Sequence, residues 1–289
     1  MPRSLKTPTT FQQQVALLQS RQIIISDTQA CCDFLERVNY YRLSGYIFPF
    51  RDPATGICNP PIAFERISEI YDFDTGLRGL IVSAIEDIEI YVRTQLSYEH
   101  AHRYGADGYT RAGSFNQRHN HQVFQTLIAQ CINDNSNSPV VRHHINVYGG
   151  QFPIWVIVDY FTLGMLSHFY TDMTNRDKSF ISSKMYSVPY QLLTGWLRCL
   201  TDLRNRCAHY SRLYNWSFPA MPGIPRGDSF VADHTLFSQL YMLKLMYPYP
   251  SRWNTAFVKP LTTMMNRYGK SIDKKHIGFP HNWKAVLSR

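Results

Sequence analysis

The chain has 289 residues, of which 44% are apolar and 18% are charged, and its formal net charge is +9. This composition excludes a disordered polymer, because so many apolar residues can form a sizeable core. The excess of positive charge favours a polyanionic partner, which is either a nucleic acid or an anionic membrane surface.

The sequence shows no sign of export or of membrane insertion. Residues 1–14 are polar and lack the apolar segment of a secretory signal. The most apolar stretch, 152–170, contains Asp159 and His168, which argues for a buried helix and against a membrane span. The six cysteines form neither a CxxC pair nor a disulfide framework. We therefore expect reduced thiols in a cytoplasmic protein that binds no membrane.

The first sixty residues are predicted to form helices separated by turns. A short amphipathic helix covers 11–19. Ser26 offers an N-cap oxygen to a second helix with a clear apolar stripe. The aromatic segment 39–46 follows, and the many Pro, Gly and Asn residues of 51–61 predict a loop.

The longest helical pattern covers 64–104, where apolar residues recur at spacings of three and four. Gly76 and Gly79 weaken this pattern and predict a bend. Two further helices are predicted over 116–134 and 140–148, and a pair of glycines ends the second one.

The second half of the chain is also helical in pattern. Residues 155–173 are apolar all round, as in a core helix. Ser187 is predicted to cap a helix over 191–210, and two more helices are expected over 234–246 and 253–268. We therefore predict an all-α fold, in which a few strands could lie within the aromatic segments.

The end of the helix over 191–210 concentrates polar side chains that can act on a phosphodiester. A helix turns about 100° per residue, so Asn205 and Arg206 lie beside His209, four and three residues before it. Arg204 is five residues back, roughly 140° round the helix by the same geometry. Arg204 therefore reaches His209 only through its length, or across a cleft to a second chain.

These side chains suffice for RNA cleavage without a metal ion. An RNA strand carries its own nucleophile, the 2′-OH, and the His209 imidazole can accept that proton or return one to the leaving 5′-oxygen. A guanidinium can hold the phosphate with two hydrogen bonds and stabilise the charge of the transition state. On spacing alone, the same cluster is also typical of a surface contact at a helix C-terminus.

The spacing Arg204-x4-His209, with Asn205 directly after the arginine, resembles the Arg-x4-6-His signature of the HEPN-superfamily ribonucleases. Over about residues 10–216 the chain also resembles the Abi family of phage-exclusion proteins, in the AbiD/AbiF group. The similar segments are Asn39-Tyr40-Tyr41-Arg42-Leu43-Ser44-Gly45-Tyr46, Tyr71-Asp72-Phe73-Asp74-x2-Leu77-Arg78, Glu86-x2-Glu89-x3-Arg93 and Arg204-Asn205-x-Cys207-Ala208-His209-x2-Arg212-x2-Asn215.

The resemblance implies a HEPN-like helical bundle and two such domains paired around one active cleft, hence a homodimer. It also implies a toxin-like role in phage defence, kinship with RNA-targeting CRISPR effectors and control by a small structured RNA. On this basis we divide the chain into an N-terminal helical region (1–60), a HEPN-like ribonuclease core (61–216) and a C-terminal helical extension of unknown role (217–289).

The predicted catalytic residues are Arg204, Asn205 and His209. His209 would act as general acid or base, Arg204 would bind and stabilise the phosphoryl group, and Asn205 would orient either the imidazole or the phosphate. No cofactor and no metal ion are expected. Three further arginines are predicted to bind RNA: Arg42, Arg206 and Arg212.

Glu86, Glu89 and Arg93 share one helix face. They could orient the side chain of Arg204 or His209 without touching the substrate. Alternatively, Glu89 and Arg93 could form a plain ion pair.

The remaining polar and aromatic clusters could have either a functional or a structural role. Tyr40, Tyr41 and Tyr46 could stack RNA bases, although core packing is the more common role of such a cluster. The pairs His100/His102, His119/His121 and His143/His144 suggest a metal site only weakly, because residues two apart on a helix point away from each other. The family resemblance implies that Asp72 and Asp74 are structural and do not bind a metal ion.

The favoured function is therefore a metal-independent endoribonuclease of phage defence. The alternative is a non-catalytic RNA-binding module of a protein–RNA defence or toxin–antitoxin complex. A third class, a scaffold that binds only proteins, predicts no salt-dependent affinity for RNA.

Overall fold

The computed structural model describes residue 5 and residues 7–289. These residues are mainly helical, which confirms the all-α prediction. The helices are α1 (Phe11–Ser20), α2 (Thr28–Arg37), α3 (Tyr40–Ile47), α4 (Phe64–Tyr104), α5 (His121–Asp134), α6 (Pro139–Tyr148), α7 (Ile154–Ile157), α8 (Leu163–Asp172), α9 (Asn175–Tyr186), α10 (Tyr190–Ala208), α11 (Leu236–Met246), α12 (Pro250–Trp253), α13 (Lys259–Tyr268) and α14 (Trp283–Leu287).

Among the described residues, the strands are β1 (Ile23–Ile24) and β2 (Ile62–Ala63), which pair in parallel with Ile23 opposite Ile62. They lie outside the aromatic segments, where the sequence left room for a few strands. Their short ladder joins the N-terminal helices to the start of α4.

Helix α4 is the central element of the fold. It has 41 residues and confirms the predicted helix over 64–104, which corresponds to about 60 Å at 1.5 Å per residue. It is continuous through Gly76 and Gly79, and at Gly76 an added Cβ would lie 3.0 Å from the Cε of Met264 in α13. Helix α10 also packs on α4. The glycine at 76 thus allows a close helix contact.

The buried apolar side chains form one continuous core that reaches from Val15 in α1 to Leu287 in α14. The division of the chain at residues 60 and 216 stays a prediction. In the part of the chain that the structure describes, no helix combines the length and the apolar character that a membrane crossing needs.

The prediction of a single core helix over 155–173 is wrong. Helix α7 gives way to a 3-10 turn at Val158–Tyr160, and α8 starts afresh after Thr162, whose side chain accepts from Met165 N at 3.2 Å. The interruption has a cause outside the segment, because the Arg93 guanidinium of α4 donates to the carbonyl oxygens of Val158 and Phe161.

Two predicted helix caps are also wrong. Asp27, and not Ser26, caps α2 by accepting from Ala30 N at 2.9 Å, while the Ser26 hydroxyl donates to Glu65. Ser187 adopts a left-handed conformation (φ 55°) that ends α9, a helix not predicted from the sequence. Helix α10 begins after Pro189 instead.

Several other boundaries differ from the sequence prediction. The aromatic segment 39–46 folds largely as α3, where the Asn39 side chain accepts from Tyr41 N at 2.7 Å. The helix predicted over 116–134 starts only at His121, and the helix predicted over 253–268 contains a π-helical turn at Asn254–Val258. Helix α6 confirms the prediction for 140–148 and ends at Gly149, which has φ 60°.

The buried His100 ring gives the fold a defined response to acid. His100 is 1% exposed and lies against Phe115 and Phe169, and burial lowers its pKa to about 4. Between that value and the usual pKa near 6.5, the unfolded chain binds a proton that the folded chain does not. Lowering the pH through this range should therefore reduce the free energy of unfolding by roughly 3 kcal/mol through this group alone.

Urea unfolding between pH 7 and pH 4 measures this effect. His100→Leu should remove that part of the pH dependence, whereas His143→Leu, at an exposed position of α6, should keep it. Parallel pH profiles for wild type and His100→Leu would contradict the assignment.

Candidate functional site

The predicted site lies where α10 ends. His209 is the C-cap residue, Tyr210 N donates to Cys207 O at 3.0 Å and Ser211 N donates to Arg206 O at 2.9 Å. This pattern of bonds is the Schellman motif, in which the residue after the cap is usually glycine. Here it is Tyr210, with φ 55°, a conformation that costs a residue with a β-carbon roughly 1–2 kcal/mol. The turn leaves the side chains of His209 and Tyr210 exposed.

The three predicted catalytic residues lie together on this exposed helix end. Arg204 Nη1 donates to Asn205 Oδ1 at 3.3 Å, and His209 N donates to Asn205 O at 2.9 Å. The His209 imidazole makes no hydrogen bond to any residue that the structure describes. Arg204 and Asn205 are thus in direct contact, while His209 lies one turn further on and is free to meet a substrate.

Arg42 is brought to the site from a distant part of the sequence. Its guanidinium, on α3, donates to the carbonyl oxygen of Tyr210 across 168 positions of the chain. The Arg42 side chain is otherwise exposed. A second guanidinium, besides that of Arg204, therefore stands beside the turn that carries His209, in a position that phosphate can reach.

Arg206 and Arg212 are both half-buried, and the Arg206 side chain is engaged within the protein. The Arg206 guanidinium lies 3.5 Å from the centroid of the Trp216 ring, and its Nη1 donates to Arg212 O at 3.1 Å. The Arg212 side chain runs under α3, where an added Cβ on Gly45 would lie 3.5 Å from its Nε. Burial lowers the pKa of both guanidiniums. Their role in RNA binding stays a prediction.

A buried carboxylate fixes the backbone that follows His209. Asp74 in α4 accepts from Leu213 N at 3.1 Å, from Tyr214 N at 2.8 Å and from the Tyr46 hydroxyl at 2.7 Å. Arg78 donates to the same carboxylate at 2.5 Å. Burial raises the pKa of Asp74, and the ion pair and hydrogen bonds oppose that rise. Asp74 thus ties α3, α4 and the segment after α10 together, as expected for a structural residue.

The family model described as Abi-like protein matches residues 33–215 of the chain. This match covers more than half of the sequence. The chain belongs to the Abi-like protein family. No curated protein and no solved structure matches it.

Membership of the Abi-like family confirms the broader part of the resemblance and supports a role in abortive infection, which is a defence against phage. The matched region includes α3 with Arg42, the Asp74 contacts and the end of α10. The HEPN signature and the AbiD/AbiF subgroup stay predictions.

The predicted supporting residues on α4 make contacts that do not involve the candidate site. Arg93 pairs with Glu89 and holds the 158–161 turn, whereas Glu86 is exposed. Among the described residues, none of the three bonds to Arg204 or His209.

One histidine pair does converge, contrary to the prediction. His119 Nε2 lies 3.2 Å from His121 Nδ1, because His119 precedes α5 and does not follow helical geometry. His119 Nδ1 lies 2.9 Å from Asp172 Oδ2, and His121 Nε2 lies 2.9 Å from Thr110 O. Within the described ranges, no group of three His, Cys, Asp or Glu side chains could hold a metal ion.

Sequence reasoning missed the contacts that support the site from the C-terminal extension. The Tyr214 hydroxyl lies 2.8 Å from His276 Nδ1, and Asn215 N donates to His276 O at 2.9 Å. Asp273 N donates to the Tyr214 hydroxyl, also at 2.9 Å. A tyrosine directly after a predicted site is a weak signal, and nothing in its spacing indicates a partner some sixty positions away.

Proposed function

We propose that this Abi-like protein is an endoribonuclease of phage defence that cuts RNA in the cytoplasm by attack of the 2′-OH. The observation that carries the proposal is the exposed end of α10, where Arg204, Asn205 and His209 stand together beside Arg42. An imidazole free of internal hydrogen bonds is available for proton transfer, and two guanidiniums are available for phosphate.

In this mechanism the His209 imidazole accepts the 2′-OH proton while the 2′-oxygen forms a bond to phosphorus. The bond from phosphorus to the 5′-oxygen breaks, and an imidazolium returns a proton to that oxygen. The products are a 2′,3′-cyclic phosphate and a 5′-hydroxyl. Arg204 holds the phosphoryl oxygens, and Asn205 orients Arg204 through their mutual hydrogen bond.

A second subunit completes the proposal. One imidazole cannot be base and acid in the same step. In each subunit, the C-terminal end of α10 offers one His209. A homodimer with the two segments facing each other supplies both groups to one cleft. A small structured RNA that binds the same basic surface would control access to it.

The experiment that tests the proposal is incubation of the purified protein with end-labelled RNA in EDTA. We expect cleavage products that carry a 2′,3′-cyclic phosphate and a 5′-hydroxyl. Products with a 5′-phosphate, or activity that EDTA abolishes, would exclude this mechanism.

The alternative function is a non-catalytic RNA-binding module of a defence complex. The observation that favours it is that no described side chain orients the His209 ring, although general bases are usually held by a second hydrogen bond. Tight binding of RNA without cleavage, across many RNAs, would select this alternative.

The affinity for RNA should fall steeply as salt rises, because each phosphate contact releases counterions. Arg204→Ala should reduce the slope of log K against log salt by about 0.7, the value of one contact on a single strand. Fluorescence anisotropy between low and physiological salt measures the slope. Arg142→Ala is the matched control, since Arg142 is an exposed arginine of α6, and a flat response in the wild type would remove RNA as the partner.

A further inference from the structure

Two exposed tyrosines flank the candidate site. Tyr41 on α3 is 86% exposed and Tyr210, directly after His209, is 68% exposed. The other tyrosines of the 39–46 segment differ from Tyr41: Tyr46 is buried and bonded to Asp74, and Tyr40 is half-buried. Packing therefore accounts for Tyr46 but leaves the rings of Tyr41 and Tyr210 in solvent.

The two tyrosines lie on segments that a defined contact joins. Tyr41 precedes Arg42, and the Arg42 guanidinium donates to the carbonyl oxygen of Tyr210 itself. The Tyr41 backbone is thereby fixed within one arginine side chain of the turn that carries His209. A single strand bound between Arg42 and His209 would lie along the segments that carry both exposed tyrosines.

The backbone of Tyr210 strengthens this assignment. Its left-handed φ of 55° occupies a position that glycine or asparagine would adopt with less strain. Strained residues of this kind concentrate at functional sites. The conformation places an exposed aromatic ring next to the predicted general base, where an external ligand can contact it.

We infer that Tyr41 and Tyr210 are base-positioning residues, which stack the unpaired bases on either side of the phosphate that faces His209. The inference rests on the proposed function, because it assumes RNA at this surface. Aromatic rings beside cations are the usual means of holding a single strand, since every base offers a π-face while the cations neutralise phosphates. Arg42 and Arg204 are the cations here.

The test measures binding separately from cleavage. In a His209→Ala background, we would titrate short RNAs that carry 2-aminopurine, whose fluorescence is quenched when the base stacks. Tyr41→Ala and Tyr210→Asn should each weaken binding by about 5- to 150-fold, which is the effect of removing one stacked base, and should relieve the quenching. The asparagine keeps the left-handed turn at low cost and removes only the ring.

Two kinds of control keep the result specific. Tyr41→Trp and Tyr210→Phe retain an aromatic ring, so each should quench the 2-aminopurine fluorescence as the His209→Ala parent does. Tyr148→Ala should change neither affinity nor quenching. Tyr148 is also an exposed tyrosine (55%), but it shares a pocket with Ala106, just beyond the end of α4 at Tyr104. That end of α4 is about 45 Å along the helix from Asp74, which contacts the segment after His209.

The outcomes distinguish this inference from the proposed function. Unchanged affinity and quenching in Tyr41→Ala and Tyr210→Asn would overturn the inference and leave the nuclease proposal intact. Unchanged RNA binding with loss of the dimer in light scattering would overturn it too, by making the two rings a subunit contact. Ring-dependent binding by a wild type that never cleaves would support the inference and overturn the nuclease. No RNA binding by the parent would overturn both.

Discussion

His209→Ala is expected to lower the rate of RNA cleavage by about 10²–10⁴, which is the usual loss when a general acid or base is removed. The fold should be retained, because the imidazole is exposed and only the backbone N–H of His209 takes part in the helix cap. RNA affinity should change little, since we propose that Arg204 and Arg42 make the phosphate contacts. Single-turnover cleavage in EDTA, with circular dichroism as a measure of folding, gives the result.

The matched control is His143→Ala, an exposed histidine of α6, which should cleave at the wild-type rate. Equal cleavage by wild type and His209→Ala would locate the chemistry in another residue or in a contaminant. A variant that loses cleavage and helical structure together would show that His209 supports the fold, and the assignment as acid or base would have to be abandoned.

Asp74→Asn should reduce the free energy of unfolding by about 3–5 kcal/mol, the cost of breaking a buried ion pair. The substitution leaves the Arg78 guanidinium, whose side chain is 6% exposed, without a counterion. It also turns an amide NH₂ towards groups that donate hydrogen bonds, namely Tyr46 and the backbone of residues 213–214. Domains are typically stable by about 5–15 kcal/mol, so the loss is a large fraction. Urea unfolding is the measurement.

Asp72→Asn is the control for this variant. Asp72 lies two residues earlier on the same helix but is exposed, so its substitution should change stability by less than about 0.5 kcal/mol. Removing the stranded charge in the double variant Asp74→Asn, Arg78→Met should recover part of the lost stability. Equal stability of Asp74→Asn and Asp72→Asn would show that the carboxylate does not hold the site together.

The sequence predicted those features whose causes are local. The helix over 64–104 was correct because a long apolar stripe at helical spacing leaves few other structures. The break within 155–173 was missed, because its only local signal is the Thr162 cap and the other contact at the break comes from Arg93 on another element. The exposure of Tyr41 among its neighbours was equally hidden, since it depends on which face of α3 meets Asp74.

The candidate site follows the same division. The cluster at the end of α10 was visible because its members lie within six consecutive positions, from Arg204 to His209. Nothing in the sequence places Arg42 beside this cluster, since 168 positions separate it from Tyr210. The contacts of Asp74 with residues 213–214 span about 140 positions, and the sequence shows only the Asp-x3-Arg spacing that forms its ion pair.

The tie between Tyr214 and His276 has a consequence for how the protein can be divided experimentally. The region shared by the Abi-like family ends at residue 215, yet Arg66 Nε donates to Ser271 O at 2.9 Å and Trp196 Nε1 donates to Gly223 O at 2.7 Å. A fragment cut to the family limits would expose the apolar side of α4 that α13 covers. The region that the family model matches is therefore smaller than the packed unit, and we expect fragments that lack 217–289 to fold poorly.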